Sequence, residues 1–394
     1  MKILFYIIGY IVYPFSFLFP RSKRKFAFGS FRGAFNDNAK YLFIYANQHC
    51  KGFNIAWISI NRATVAKVRE LGFKAYFFLS PKGIWHALTA KYWFFNSYTN
   101  DINHCLSGGA TCINLWHGVA LKRIEYLILS GPLAKLYDRS DFYKVFTHPQ
   151  VFRKPDYLIT SSQSQTQMFS SAFRIPEDRC WELGYPRNSI LKQTNDERRK
   201  FIEAFEPKAM SELIARMQSY SRVLIYMPTW RDSQRNLFSQ SMDLPRLNDV
   251  LMDNNELLLM KPHANVMVGQ MAQEFSNILF LDGRLDVYPL LPYTDVLITD
   301  YSSVLYDYLL MPGKDVILYL YDYEDYIRER DLYFPFDENV AGCRVYDFEQ
   351  LLTCISRHDY SLPDEDRCRI VEKFWGASQH YDSCRQILDR VINL

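Results

Sequence analysis

Two histidines, an arginine, a lysine, an aspartate and a pair of serines occupy the positions in this chain where chemistry is easiest to place. His117 lies in Leu115-Trp116-His117-Gly118. A histidine titrates near neutral pH and can take the proton of an attacking hydroxyl as a general base. Gly118 lets the backbone turn sharply beside a substrate. Taken alone, an isolated histidine is more often structural. Arg231 lies in Met227-Pro228-Thr229-Trp230-Arg231-Asp232, and its planar fork matches a phosphate. An ion pair with Asp232 or another carboxylate explains it equally well. Lys261 and His263 fall within three residues in Met260-Lys261-Pro262-His263. They suit a diphosphate, with Pro262 fixing the turn between them. In Thr299-Asp300-Tyr301-Ser302-Ser303, Ser302 and Ser303 read as N-caps of a helix over 304–310. A helix N-terminus with free N–H groups also binds anions. Capping alone accounts for the serines, and the two roles are compatible.

These segments need elements that present them together. Short apolar runs alternate with helical stretches, the rhythm of parallel α/β units. Strands are expected over 25–29, 55–60, 75–79, 92–96, 112–116 and 157–160, with a Gly-containing loop over 29–38 and a helix from Ala39. A charged helical stretch over 194–221 makes a hinge region. A second strand series follows over 223–227, 257–260, 278–281, 296–299 and 316–319, and residues 364–394 close the chain as helix. The length of 394 residues exceeds what one core usually supports. The expected division is a hydrophobic and basic segment over 1–24, a Rossmann-like domain over 25–193 and a second Rossmann-like domain over 194–394. Two doubly wound halves facing a central cleft, with ligands at the carboxyl ends of the strands, form a GT-B fold.

Composition narrows the function. The net charge of +3 is too small to argue for nucleic acid, and no nucleic-acid-binding motif is present. None of the eight cysteines forms a CxxC pair or a zinc-spaced set, so reduced thiols that serve packing are expected. The short acidic run Asp364-Glu365-Asp366 follows Pro363 and reads as a solvated helix start, and no active-site metal is expected. Residues 3–19 are almost wholly apolar, broken by Pro14 and stopped by Pro20. A spanning helix needs about 20 apolar residues. The expectation is a hairpin or helix lying in the membrane interface, with Arg21, Lys23, Arg24 and Lys25 facing anionic headgroups. The alternative is a buried first helix of the folded domain.

Taken in order, Trp116-His117-Gly118, Pro228-Thr229-Trp230-Arg231, Lys261-Pro262-His263 and Thr299-Asp300-Tyr301-Ser302-Ser303 resemble the CDP-glycerol glycerophosphotransferases of teichoic-acid priming and polymerisation. Asn36-Asp37-Asn38 with Lys40-Tyr41-Leu42, Gly184-Tyr185-Pro186-Arg187-Asn188 and residues 321–326 extend the likeness over residues 25 to 345. The resemblance implies an acceptor-side first domain and a second domain that holds a CDP-polyol donor. It makes His117 the base and sets His263 at the donor phosphates. Arg231, Lys261, Ser302 and Ser303 bind the diphosphate, and Asp300 orders its loop or a donor hydroxyl. The partners implied are CDP-glycerol, a lipid-linked saccharide or growing polymer, and an anionic membrane surface at the cytoplasmic face, with no cofactor. Val119-Ala120 departs from the family's small polar residue and proline after the glycine, which leaves the acceptor side open. CDP-ribitol or another CDP-polyol donor, or a nucleotide-sugar glycosyltransferase on the same fold, remain the alternatives. A single catalytic module with a short anchor is expected.

Overall fold

The protein is represented by a computed structural model that describes residues 2–130, 134–138, 140–229, 242–261, 275–329 and 331–394. It divides into two compact units, Met1–Ser189 together with Phe374–Leu394, and Ile190–Lys373.

The first unit is built on a seven-stranded sheet of β1 (Ser22–Phe28), β2 (Asn54–Ser59), β3 (Ala75–Phe77), β4 (Ala90–Phe95), β5 (Thr111–Asn114), β6 (Tyr157–Thr160) and β7 (Cys180–Glu182). The order is β3-β2-β1-β4-β5-β6-β7, and every pairing is parallel. Its middle strands are buried on both faces, as a parallel sheet covered by helices requires; Phe26, Ala27, Phe28, Trp57, Ile58, Trp93 and Phe94 have no exposed surface. The order reverses between β1 and β4, which makes that crevice the switch point where ligands bind in such sheets.

The second unit has a six-stranded sheet of β8 (Arg222–Met227), β9 (Glu256–Met260), β10 (Ile278–Phe280), β11 (Val296–Thr299), β12 (Asp315–Tyr319) and β13 (Cys343–Val345). The order β10-β9-β8-β11-β12-β13 is again parallel throughout. Here the switch point lies between β8 and β11. The expected strands all form, within a few residues of the expected bounds; β7 and β13 are additional.

The C-terminal helices differ from expectation. Phe374–Leu394 packs with the first unit, not with the domain that was to run to residue 394. Trp375 meets Tyr185 edge-on at 5.6 Å, the Ser378 hydroxyl donates to the Ser161 carbonyl at 2.6 Å, and the Ser383–Ile392 helix lies against the Asp37–His49 helix. The stretch over 194–221 forms two helices, Asn195–Phe205 and Lys208–Met217, the first opened by a Thr194/Glu197 capping box. Asp364–Trp375 is a helix with all three acids in its first turn, where Asp364 pairs with Arg367 at 2.9 Å. All eight cysteines are free thiols.

Residues 2–15 form a helix (Lys2–Phe15) followed by a 3-10 turn, Ser16–Leu18. Among the described residues no helix is long and apolar enough to cross a membrane. One face of this helix rests on the first unit: Tyr10 stacks on Phe146 at 5.2 Å and Tyr13 on His104 at 5.2 Å. The outward face keeps Ile7, Ile8, Ile11 and Phe15 between 44% and 58% exposed. The basic cluster is a different matter. Arg21 does not face outward. Its guanidinium donates to the carbonyls of Gly108 from Nε, Ala87 and Ala90 from Nη1 and Leu106 from Nη2, all at 2.7 to 2.8 Å, and Nη2 also reaches the Gly108 carbonyl. Lys25 Nζ donates to Thr89 Oγ1 at 2.8 Å and Lys23 Nζ to the Leu394 carbonyl at 3.1 Å. Arg21 and Lys25 are thus turned to partners within the fold, while Lys23 and Arg24, on the exposed start of β1, stay at the surface.

Candidate active site

At the switch point of the first sheet, polar side chains at the ends of neighbouring strands converge on His117. Asn114, the last residue of β5, accepts the Trp116 N–H on Oδ1 at 2.8 Å and donates from Nδ2 to the Ser97 carbonyl at 2.9 Å. This sews the ends of β5 and β4 together. The chain then turns through Trp116 at φ +53° and Gly118 at φ +129°. Trp116 is buried edge-on against Phe169 and Phe173 of the Gln163–Phe173 helix, with centroids at 5.6 and 5.1 Å. The His117 imidazole stacks on the Trp116 indole at 4.0 Å. Its Nδ1 lies 3.4 Å from the Asn96 carbonyl. A carbonyl only accepts, so this contact sets the proton on Nδ1 and leaves the lone pair on Nε2, the tautomer a base needs.

The Asn96 backbone is itself fixed. Its side chain donates to Ser30 Oγ at 2.8 Å and accepts the Ala39 N–H at 3.0 Å. The N–H groups of Asn96 and Ser97 both donate to Asp101 Oδ2. Burial pushes the Asp101 carboxyl up to about 7 against the pull of those N–H groups. Gly29, just past β1, approaches so closely that a Cβ there would sit 2.3 Å from the Asp101 carbonyl oxygen, a contact only glycine tolerates.

His117 keeps solvent-exposed surface, yet the crowded walls around the ring disfavour its charged form. Desolvation holds it below the ordinary imidazole value of 6.5, helped by Arg187 and opposed by Asp37 and the Asn96 carbonyl. The histidine is therefore neutral at pH 7 and competent to accept a proton.

In the second unit the described parts of the expected donor loops centre on Asp300. Asp300 is buried at the end of β11, and its Oδ1 accepts the N–H of Thr229 at 2.8 Å and of Tyr301 at 2.6 Å. It thereby ties the loop after β8 to the loop after β11 at the switch point of the second sheet. Loop ordering, one of its two expected roles, is what this geometry provides. Tyr301 stacks on Tyr326 at 3.5 Å and donates to Asp322 at 3.3 Å, which brings the aromatic-acidic run over 321–326 under the same loop. Ser302 and Ser303 precede a helix of five residues, Val304–Tyr308. The expected capping is weak. Ser303 is in αR conformation without a side-chain cap bond, and Ser302 Oγ lies 3.5 Å from the Val304 N–H. Both serines are half-buried.

Lys261 corrects its expected role. Its Nζ donates to the carbonyls of Asp282, Gly283 and Leu285 at 2.9, 2.7 and 2.9 Å. An ammonium has three protons, and three carbonyls take them. Burial also lowers its pKa to about 8, with Asp286 and Asp282 opposing. Lys261 is thus a clamp on the 282–285 loop and has no proton left for a diphosphate. Arg231 and His263 lie outside the described residues.

Comparisons with known proteins give the family and the fold. Residues 11–393 match the family CDP-Glycerol:Poly(glycerophosphate) glycerophosphotransferase. The chain belongs to this family. Among glycerophosphotransferase relatives, the teichoic acid poly(glycerol phosphate) polymerase of Bacillus spizizenii is 26% identical over 97% of this chain and 95% of its own length. That of Bacillus subtilis is 28% identical over 87% of this chain, which spans only 45% of that longer protein. A solved structure of the wall teichoic acid polymerase TagF superposes with a TM-score of 0.74 at 23% identity, covering 95% of this chain and 89% of the other. That likeness concerns the fold, two parallel-sheet α/β domains.

The motif order that pointed to the glycerophosphotransferases was therefore sound. What motif reading missed is the shell behind His117. Asn96 ends an expected strand next to the one carrying His117, and Asn36-Asp37-Asn38 opens the helix after β1. In a doubly wound sheet the ends of β1, β4 and β5 are neighbours. The sequence marks Asn36-Asp37-Asn38 only through the family likeness, and neither it nor Asn96 is tied there to the turn that carries His117.

Proposed function

We propose that this chain transfers glycerol phosphate from CDP-glycerol to a hydroxyl of a lipid-linked or polymeric acceptor in the synthesis of teichoic acid or a teichoic-acid-like capsule. The observation that carries this reading is the family match along residues 11–393. The acceptor oxygen attacks the β-phosphorus, which bears the glycerol. Its P–O bond to the α-phosphate breaks, CMP leaves, and Nε2 of His117 takes the acceptor proton. General-base help of this kind contributes on the order of 10²–10⁴-fold. Charge develops on the transferring and leaving phosphates, where cations and N–H groups contribute most. Arg231, His263 and the Ser302–Ser303 loop are the proposed donor contacts, and Asp300 ties Thr229 to the start of the Ser302–Ser303 loop. The proposal includes a GT-B arrangement in which the first unit serves the acceptor and the second the donor. The test is turnover with CDP-glycerol, CDP-ribitol and a nucleotide sugar. The expected result is a kcat/KM for CDP-glycerol that exceeds the other two, with CMP as the nucleotide product.

A peripheral location on the cytoplasmic face of the membrane belongs to the same proposal. It is supported by the outward apolar face of the Lys2–Phe15 helix. Each isoleucine in the interface is worth roughly 1.5–3 kcal/mol. Ile8→Glu combined with Ile11→Glu should therefore reduce binding to phosphatidylglycerol vesicles at least tenfold. Both side chains are exposed, so the thermal midpoint should hold. High salt should release the wild-type chain only in part, because it leaves the apolar term intact. Unchanged vesicle binding by the double variant would remove this helix from the membrane account.

A further inference from the structure

We propose that Asn38 is a positioning residue for His117: its side-chain amide holds the left-handed turn at Trp116 from which the histidine projects. This rests on the reading of His117 as the base. Asn38 is fully buried, and each polar atom of its amide has a backbone partner. Nδ2 donates to two consecutive carbonyls, Leu115 at 3.2 Å and Trp116 at 2.8 Å. Oδ1 accepts the Arg187 N–H at 3.1 Å. The two carbonyls are those immediately before His117 in the chain.

Trp116 stands at φ +53°, a conformation that L side chains other than Asn and Asp rarely adopt and that persists only where surrounding bonds over-determine it. The amide of Asn38 supplies two of those bonds and Asn114 a third. Because the His117 ring lies on the Trp116 ring at 4.0 Å, a relaxed turn would swing both rings and pull Nδ1 off the Asn96 carbonyl. Asp37 sets Asn38 in place. Also at positive φ, +58°, it accepts the Asn38 N–H at 2.8 Å and Arg187 Nη1 at 2.8 Å on the same Oδ1. The side-chain hydrogen bonds of Asn38 end on the backbone of Leu115, Trp116 and Arg187, so its effect on turnover passes through the turn that carries the histidine.

The experiment uses Asn38→Ala in the full chain, alone and combined with His117→Ala. Displacing a base by about 1 Å costs up to about a hundredfold. We expect kcat to fall roughly 10- to 100-fold while the KM for CDP-glycerol stays within about twofold. In the His117→Ala background the same substitution should cost nothing further, since residues acting as one unit are non-additive. Equal losses in both backgrounds would overturn the proposal, as would an unchanged kcat. Histidine-selective 15N NMR, with the resonance assigned by its loss in His117→Ala, gives a readout independent of turnover. The wild type should show Nδ1 protonated and Nε2 bare, and Asn38→Ala a mixture. If the wild type releases no CMP but Asn38→Ala shows this tautomer change, the functional reading fails while the structural role of Asn38 stands. If Asn38→Ala does not fold, Asn38→Ser retains one donor and should give an intermediate loss of kcat. Failure of both to fold would make Asn38 a folding residue only and overturn the proposal.

Discussion

His117→Ala should bind CDP-glycerol nearly as tightly as the wild type and turn it over at least a hundredfold more slowly. The size follows from removing a general base, on the order of 10²–10⁴-fold. The split between binding and turnover follows from its place in the fold. His117 sits at the end of the first sheet, whereas the proposed donor contacts belong to the second. The loss should fall on kcat because the interaction is made only as the acceptor proton moves. The wild-type pH profile should carry the same signature. Desolvation holds the imidazole below 6.5 and the neutral form is the active one. The acidic limb of kcat/KM should therefore have its midpoint below 6.5 and be absent in His117→Ala. Steady-state kinetics from pH 5 to 9, with calorimetry for donor affinity, measure both. A variant with near-normal turnover over that range would remove His117 from the chemistry.

Arg21→Met should destabilise the first unit by about 3 kcal/mol or more. Methionine fills much of the space of the arginine stem but donates nothing. Four carbonyls that now share one guanidinium, those of Ala87, Ala90, Leu106 and Gly108, would lose a charged donor. Hydrogen bonds to charged groups are worth roughly 1.5–3 kcal/mol each and unsatisfied buried acceptors cost a similar amount. These carbonyls fasten the Pro81–Thr89 helix and the 106–108 turn to the entry of β1, so the loss should appear as a lower thermal midpoint. If Arg21 instead served an anionic surface, the substitution would weaken vesicle binding and leave the midpoint unchanged.

The contrast between these residues shows what sequence carries. Strands buried on both faces announce themselves as continuous apolar runs, and Tyr157–Thr160 and Val296–Thr299 fall where such runs predict. The edge strands Cys180–Glu182 and Cys343–Val345 were missed. They are three residues long, mix apolar with charged residues, and pair on one side only. The return of Phe374–Leu394 to the first unit was also hidden, because an amphipathic helix shows which face it buries but not against what. His117 is singled out in the sequence by residue type and by the order of motifs around it. Its supporting shell was not, since Asn38 meets the Leu115 carbonyl across 77 positions of chain. Lys261 and Arg21 were misplaced for one reason: a cation read alone suggests an anionic partner, and only the fold shows backbone carbonyls converging on it.

The measurement that tests the central claim most directly is the stoichiometry of transfer from CDP-glycerol labelled in its glycerol. The full-length chain, supplied with a lipid-linked acceptor, should release one CMP for each labelled glycerol phosphate that enters the acceptor, and His117→Ala should reduce both to the same degree. Labelled glycerol phosphate that stays on the nucleotide, or a nucleoside diphosphate released from a nucleotide sugar in its place, would contradict the account.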